Sequence, residues 1–179
     1  DSLIRVADSI KIKASEARTK GLSVLQPTKK ETKPKTTEEP VEEGTELVLH
    51  NLLSGEEVKY KLVSDYYFSK KGNVLIIETT RKNTDTLSKA TVFWMNMITG
   101  KVDTVLKGFN DAKNFAVDEE GTQLAFVAER DSAAKALRKF YKLWVFKPGM
   151  DSAILKADRN TTGVKNGMTI SPDFTNKFS

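Results

Sequence analysis

Val92-Phe93-Trp94-Met95-Asn96-Met97-Ile98-Thr99-Gly100 is a run of apolar, β-branched and aromatic residues closed by Thr-Gly. That composition reads as a strand entering a tight turn. The run has two echoes, Leu47-Val48-Leu49-His50-Asn51-Leu52-Leu53-Ser54-Gly55 before it and Tyr141-Lys142-Leu143-Trp144-Val145-Phe146-Lys147-Pro148-Gly149 after it. Their closing glycines fall 45 and 49 residues apart. A second strand follows each turn, over Glu57–Leu62, Lys101–Leu106 and Ser152–Lys156, so each run is the first arm of a hairpin.

A different hairpin lies between these. Tyr66-Tyr67-Phe68-Ser69-Lys70-Lys71-Gly72 leads into Val74–Ile77, and Asn114-Phe115-Ala116-Val117-Asp118-Glu119-Glu120-Gly121 leads into Leu124–Val127. Gly72 and Gly121 are again 49 residues apart. Two hairpins per period make four strands, and a four-stranded unit repeating every ~40 to 50 residues is the signature of a β-propeller blade. The expected fold is therefore all-β: a partial β-propeller of about three four-stranded antiparallel blades plus the start of a fourth. Residues 1–179 read as part of one propeller domain. Its blades are expected at 9–62 (a degenerate first blade, with strands at Ser9–Ala14, Leu22–Gln26, Thr45–Leu53 and Glu57–Leu62), 63–107 and 111–156. A fourth starts within 164–179, through Met168-Thr169-Ile170-Ser171-Pro172-Asp173-Phe174. Three blades and a stub cannot close a ring by themselves, so further chain or self-association is expected to cover the open edges.

Two segments interrupt the pattern. Over Pro27–Gly44 the only large apolar residue is Val41, and Pro27, Pro34 and Pro40 break any ladder. Ordering backbone costs ~1 to 2 kcal/mol per residue, whereas burying one Val returns only ~1.5 to 3 kcal/mol, so a disordered insertion at 27–44 is expected. Its charge is split, with Lys29, Lys30, Lys33 and Lys35 early and Glu38, Glu39, Glu42 and Glu43 late. The second segment, Asp131-Ser132-Ala133-Ala134-Lys135-Ala136-Leu137-Arg138-Lys139, falls where a hairpin of its blade should turn. Its Ala, Leu, Lys and Arg content favours a short helical turn, read as a decorated rim loop or a basic contact surface.

Composition narrows the function classes. With 29 Lys and Arg against 24 Asp and Glu, the formal charge is +5, but the signs alternate along most of the chain, as on a solvated surface. No nucleic-acid partner is inferred. Cysteine is absent, which removes disulfides, thiolate metal sites and a cysteine nucleophile. No apolar run approaches the ~20 residues of a membrane-spanning helix. The opening Asp1-Ser2-Leu3-Ile4-Arg5-Val6 lacks the layout of a signal peptide, and a mature or excised segment is expected.

Gly21-Leu22-Ser23-Val24-Leu25 comes nearest to a Gly-x-Ser-x-Gly nucleophile elbow but lacks its second glycine and reads as a strand. The one histidine, His50, lies in a strand on the face opposite Leu49, too isolated for a base or metal ligand. Asp118-Glu119-Glu120-Gly121 lacks the alternating spacing of a calcium loop and reads as rim-turn charge. Phosphate-binding glycine motifs do not occur. Phe93, Trp94, Tyr141, Trp144 and Phe146 are residue types that stack nucleobases, yet they recur at equivalent strand positions, where blade-on-blade packing is the simpler reading. No catalytic, cofactor-binding or metal-binding residue is assigned, and no cofactor is expected.

The stretch Thr45–Gly149, with Glu46–Gly55, Ser64-Asp65-Tyr66-Tyr67-Phe68-Ser69 and Met168–Phe174, resembles the N-terminal propeller of bacterial prolyl oligopeptidase family serine peptidases. It looks most like the dipeptidyl peptidase and acylaminoacyl peptidase members that are periplasmic or secreted, in which a Lys-, Pro- and Glu-rich insertion interrupts an early blade. The resemblance implies a non-catalytic segment that caps a C-terminal α/β-hydrolase domain of the same parent chain and gates peptide substrates to a Ser-Asp-His triad. None of those triad residues lies here. The paired Glu that grips a substrate amino terminus in some relatives has no match either; Glu129-Arg130 is the nearest acidic residue beside a blade insertion and departs from the pattern. The alternative is a protein-binding propeller scaffold, Tol-like or WD-repeat-like, with no attached enzyme.

Overall fold

The computed structural model describes residues 40–132 and 136–173, which belong to one compact unit. Nine strands and no helix occur among them. β1 (Thr45–His50), β2 (Glu57–Phe68), β3 (Val74–Thr79), β4 (Thr91–Asn96) and β5 (Val102–Lys107) form one antiparallel sheet in chain order. β6 (Asp111–Val117), β7 (Leu124–Glu129), β8 (Lys142–Phe146) and β9 (Ile154–Ala157) form a second. The fold is all-β, and the two meandering sheets are consecutive blades of a partial β-propeller. The earlier strands expected at Ser9–Ala14 and Leu22–Gln26, and most of the insertion at 27–44, lie outside the described residues.

The repeat read from the sequence is a repeat in space. Lys70 donates to Glu119 at 2.9 Å and Lys71 to Glu120 at 2.6 Å, each pair 49 residues apart. The Asn73 side-chain amide donates to the Glu120 carbonyl at 3.0 Å, and the Ala153 N–H to the Val105 carbonyl at 2.7 Å. Each blade thus meets the next through equivalent positions.

Between the sheets lies the main core. Val74, Ile76, Val92 and Trp94 from the first sheet meet Leu124, Phe126, Ala128, Trp144 and Phe146 from the second. The Trp94 and Phe146 rings sit 6.0 Å apart, and Phe115 lies against both Tyr67 at 5.1 Å and Phe126 at 5.2 Å. Opposite faces of β3 and β4 are covered too. Leu75, Ile77 and Met95 pack with Val63 and, from the first hairpin, Leu47, Leu49 and Tyr60. Cover on both faces explains why Val74–Ile77 is an unbroken apolar run instead of an alternating one.

That packing requires β2 to bend. Its first half pairs with β1 and its second half with β3, with a register shift between Val63 and Asp65 and Leu62 at φ 61°. A bulge of this kind kinks a strand and increases its local twist. The bend lays the β1 hairpin across the face of the next blade, where the Tyr60 hydroxyl reaches the Met95 sulfur at 3.6 Å. Glu57–Leu62, read from sequence as the last strand of one blade, and Asp65–Phe68, read as the first of the next, are thus one continuous strand.

Residues 40–44 end the Pro-rich insertion without regular structure but are held in place. Asn83 accepts the Val41 N–H at 2.9 Å and donates to the Val41 carbonyl at 2.7 Å, and Gly44 N–H donates to Thr80 Oγ1 at 2.8 Å. Of the segment expected to turn helically, 131–132 and 136–139 are irregular, and 133–135 lie outside the described residues. Residues 168–173 form no strand. They lie along the second blade, with Thr169 donating to the Tyr141 carbonyl at 3.0 Å and the Asn114 amide to the Pro172 carbonyl. Phe174 is outside the described residues.

Candidate functional site

In a meander, alternate connections lie at opposite ends of the sheet. The short turns 69–73, 97–100 and 118–122 therefore share one end, while the longer connections 80–90, 130–141 and the chain leaving β9 share the other. The buried and half-buried acidic residues Glu78, Asp111 and Glu129 lie at this long-loop end.

Asp65 begins the inner half of β2, directly opposite Glu78 in the ladder, so both side chains emerge on one face. Asp111, the first residue of β6, approaches from the second blade. Each aspartate is held by a tyrosine: Tyr67 donates to Asp65 at 2.5 Å, and Tyr141 donates to Asp111 in a short hydrogen bond. Lys113 pairs with Asp111 at 3.3 Å. Burial, and then the charges of Asp111 and Asp65, push the Glu78 carboxyl up to about 7, with Lys113 pulling weakly the other way. Burial and then the hydrogen bond to an aspartate raise the phenols of Tyr67 and Tyr141. The arrangement can hold or release a proton near neutral pH at Glu78. It brings no hydroxyl nucleophile to an imidazole, because His50 is paired with Glu57 at 3.2 Å on the exposed first hairpin. Among the described residues no three acidic or histidine side chains converge as a metal site would require.

Beside this network, and sharing Tyr141 with it, lies an open cavity of about 460 Å³ bounded by Phe140, Tyr141, Lys142 and the turn Asp158–Asn160. The Arg159 guanidinium sits 4.5 Å above the Phe140 ring. Lys142 is paired with Asp131.

Glu129-Arg130, which carries the acidic residue beside the blade insertion, is structural. Glu129 is fully buried, and burial alone would raise its carboxyl; hydrogen bonds from Asn110 at 2.9 Å, Ser132 N–H at 2.6 Å and Asp131 N–H at 2.8 Å outweigh that and hold it below the usual range. Arg130 donates to the carbonyls of Gly108 and Lys107 and lies over Trp144. Asp118 caps its turn, accepting from Thr122 and Gln123 N–H at 2.6 and 2.9 Å. The aromatics singled out from sequence are packing residues, with Trp94, Tyr141, Trp144 and Phe146 buried and Phe93 half-buried. The Asp65, Tyr67, Glu78, Asp111 and Tyr141 network was not read from the sequence. Its signal was an aspartate opening the inner strand of each blade, 46 residues apart.

Neither a protein-family model nor a curated protein matches the chain. Among solved structures it is similar to the β-propeller domain of the Trilobed protease from Pyrococcus furiosus, at 12% identity and a TM-score of 0.46, over 64% of this chain and 34% of that one. It is also similar to the acylaminoacyl peptidase of Pyrococcus horikoshii, at 13% identity and a TM-score of 0.45, over 63% of this chain and 20% of that one. The tricorn protease matches at 14% identity and a TM-score of 0.43, over 60% of this chain and 12% of that one. The chain thus spans about a third or less of the length of each.

Proposed function

We propose that this chain is the non-catalytic propeller segment of a serine peptidase, capping an α/β-hydrolase domain and gating peptide access to it. The observation that carries the reading is the blade pair itself, opened at its inner strand by Ser64-Asp65-Tyr66-Tyr67-Phe68-Ser69, the motif on which the family resemblance rests. The gathering of long loops and titratable groups at one end of the blades fits a face that meets another domain and its substrates. A periplasmic or secreted location follows from the same resemblance.

The test is to read the coding sequence beyond Ser179 and to treat the encoded protein with a fluorophosphonate probe. A Gly-x-Ser-x-Gly elbow followed by Asp and His, and covalent labelling of that serine, is the expected result. Further blades with no elbow and no labelling would overturn the peptidase reading and leave a binding scaffold.

A further inference from the structure

The cavity beside Tyr141 has an unusual balance of charge. Its acidic walls are already engaged. Asp131 is taken by Lys142, and Asp158 spends its carboxylate on its own turn, accepting from Asn160 N–H at 2.8 Å and Thr161 Oγ1 at 3.2 Å. Its guanidinium groups are not neutralised: among the described residues, neither Arg138 nor Arg159 has a carboxylate within ion-pair distance.

The walls are also positioned. Tyr141 is fixed by its bond to Asp111, and the Asp158 N–H donates to Thr161 Oγ1 at 2.9 Å, tightening the turn that carries Arg159. Stacking on Phe140 occupies the face of the Arg159 guanidinium and leaves its N–H edge, the part that forks onto a carboxylate. A cavity of about 460 Å³ lies in the range of small-ligand pockets and takes one side chain or chain end. Phe140 and Tyr141 supply apolar wall for its stem. The carboxylates of Asp131 and Asp158 nearby favour a singly charged guest over a doubly charged phosphate.

We propose that this cavity binds a carboxylate group of a peptide, with the Arg159 guanidinium, backed by Phe140, as its principal contact and Arg138 as the second cation. The choice of a peptide as the guest rests on the peptidase reading; the choice of a carboxylate rests on the cavity alone.

The test uses the isotope-labelled 179-residue chain and three probes in NMR titration: N-acetyl-Ala-Ala-Ala with a free C-terminus, N-acetyl-Ala-Ala-Glu amide and N-acetyl-Ala-Ala-Gln amide. Saturable shifts at Phe140, Tyr141 and Arg159 with one or both acids, and none with the Gln peptide, are expected; the stronger acid identifies a terminal or a side-chain carboxylate. Arg159→Gln should weaken binding about tenfold or more, since a hydrogen bond to a charged group is lost. Lys156→Gln, on exposed β9, should leave it unchanged. Equal binding of the Gln peptide, an Arg159→Gln variant that binds like the parent, tighter binding of inorganic phosphate than of either acid, or no localised shifts would each overturn the proposal. A hydrolase elbow downstream of Ser179 with no acid binding here would sink the cavity's role alone, and acid binding without an elbow would sink the peptidase reading alone.

Discussion

On β3, Glu78 lies directly opposite Asp65 of β2 and feels the charge of Asp111 from the second blade, so three carboxylates compete for one partly dry region in which Lys113 is the cation that draws the Glu78 pKa down. The carboxyl titrates at about 7 in the folded chain against 4.5 for the ordinary group. Its favourable contribution is complete below the unfolded value and is lost as pH rises through about 7. Glu78→Gln removes the ionisation, so the variant should match the parent near pH 4.5 and exceed it increasingly up to pH 8. The expected gain at pH 8 is about 1–3 kcal/mol, read from denaturant midpoints across that range. A gain independent of pH would assign the effect to packing instead of charge. None of this was legible in the sequence, because Asp65, Glu78 and Asp111 are neighbours only once the register of two sheets is known. The buried role of Glu129 was hidden for the same reason, since its partners are backbone N–H groups placed by the loop after β7.

The hairpins could be read because each carries its own local signals: an apolar run, a polar turn ending in glycine, and a second run in register. Those signals located the turns after Phe68, Asn96 and Val117 and the strands that flank them, though not the start of the strand that holds Tyr66. What local signals do not show is how one hairpin passes to the next. Glu57–Phe68 contains neither Gly nor Pro, and the sequence alone does not show that the strand bends at Leu62 without ending. The bend depends on close backbone approach: a Cβ added at Gly44 would lie 2.4 Å from the Leu62 carbonyl carbon and oxygen. Gly44→Ala should therefore destabilise the chain by about 1–3 kcal/mol through displacement of β2. Amide exchange should quicken at Leu47 and Tyr60 and stay slow in β7 and β8; uniform quickening or no change would contradict the account. Gly121 is constrained doubly, with φ at 69° and the Asn73 side chain 2.8 Å from where a Cβ would stand. The turn was evident from sequence. Its contact with the preceding blade was not.

At the level of the whole molecule, ion pairs at the rim and apolar packing in the seam both join the blades, and they contribute unequally. Lys70 and Lys71 reach Glu119 and Glu120 at the exposed rim, where water and salt screen the charges. Trp94 and Phe146 meet in a seam from which water is excluded. Lys71→Ala should leave the melting temperature within experimental scatter, whereas Trp94→Ala should cost about 3–5 kcal/mol and expose both sheets. Comparable effects from the two would mean that the seam is not a common core. Residues about one period apart face each other across that seam. The most direct measurement is a set of aromatic and methyl nuclear Overhauser effects on the folded chain. Cross-peaks from Tyr67 to Phe115 and from Trp94 to Phe146 are predicted. A well-dispersed spectrum that shows contacts within each hairpin but none between these pairs would contradict the stacking of consecutive blades.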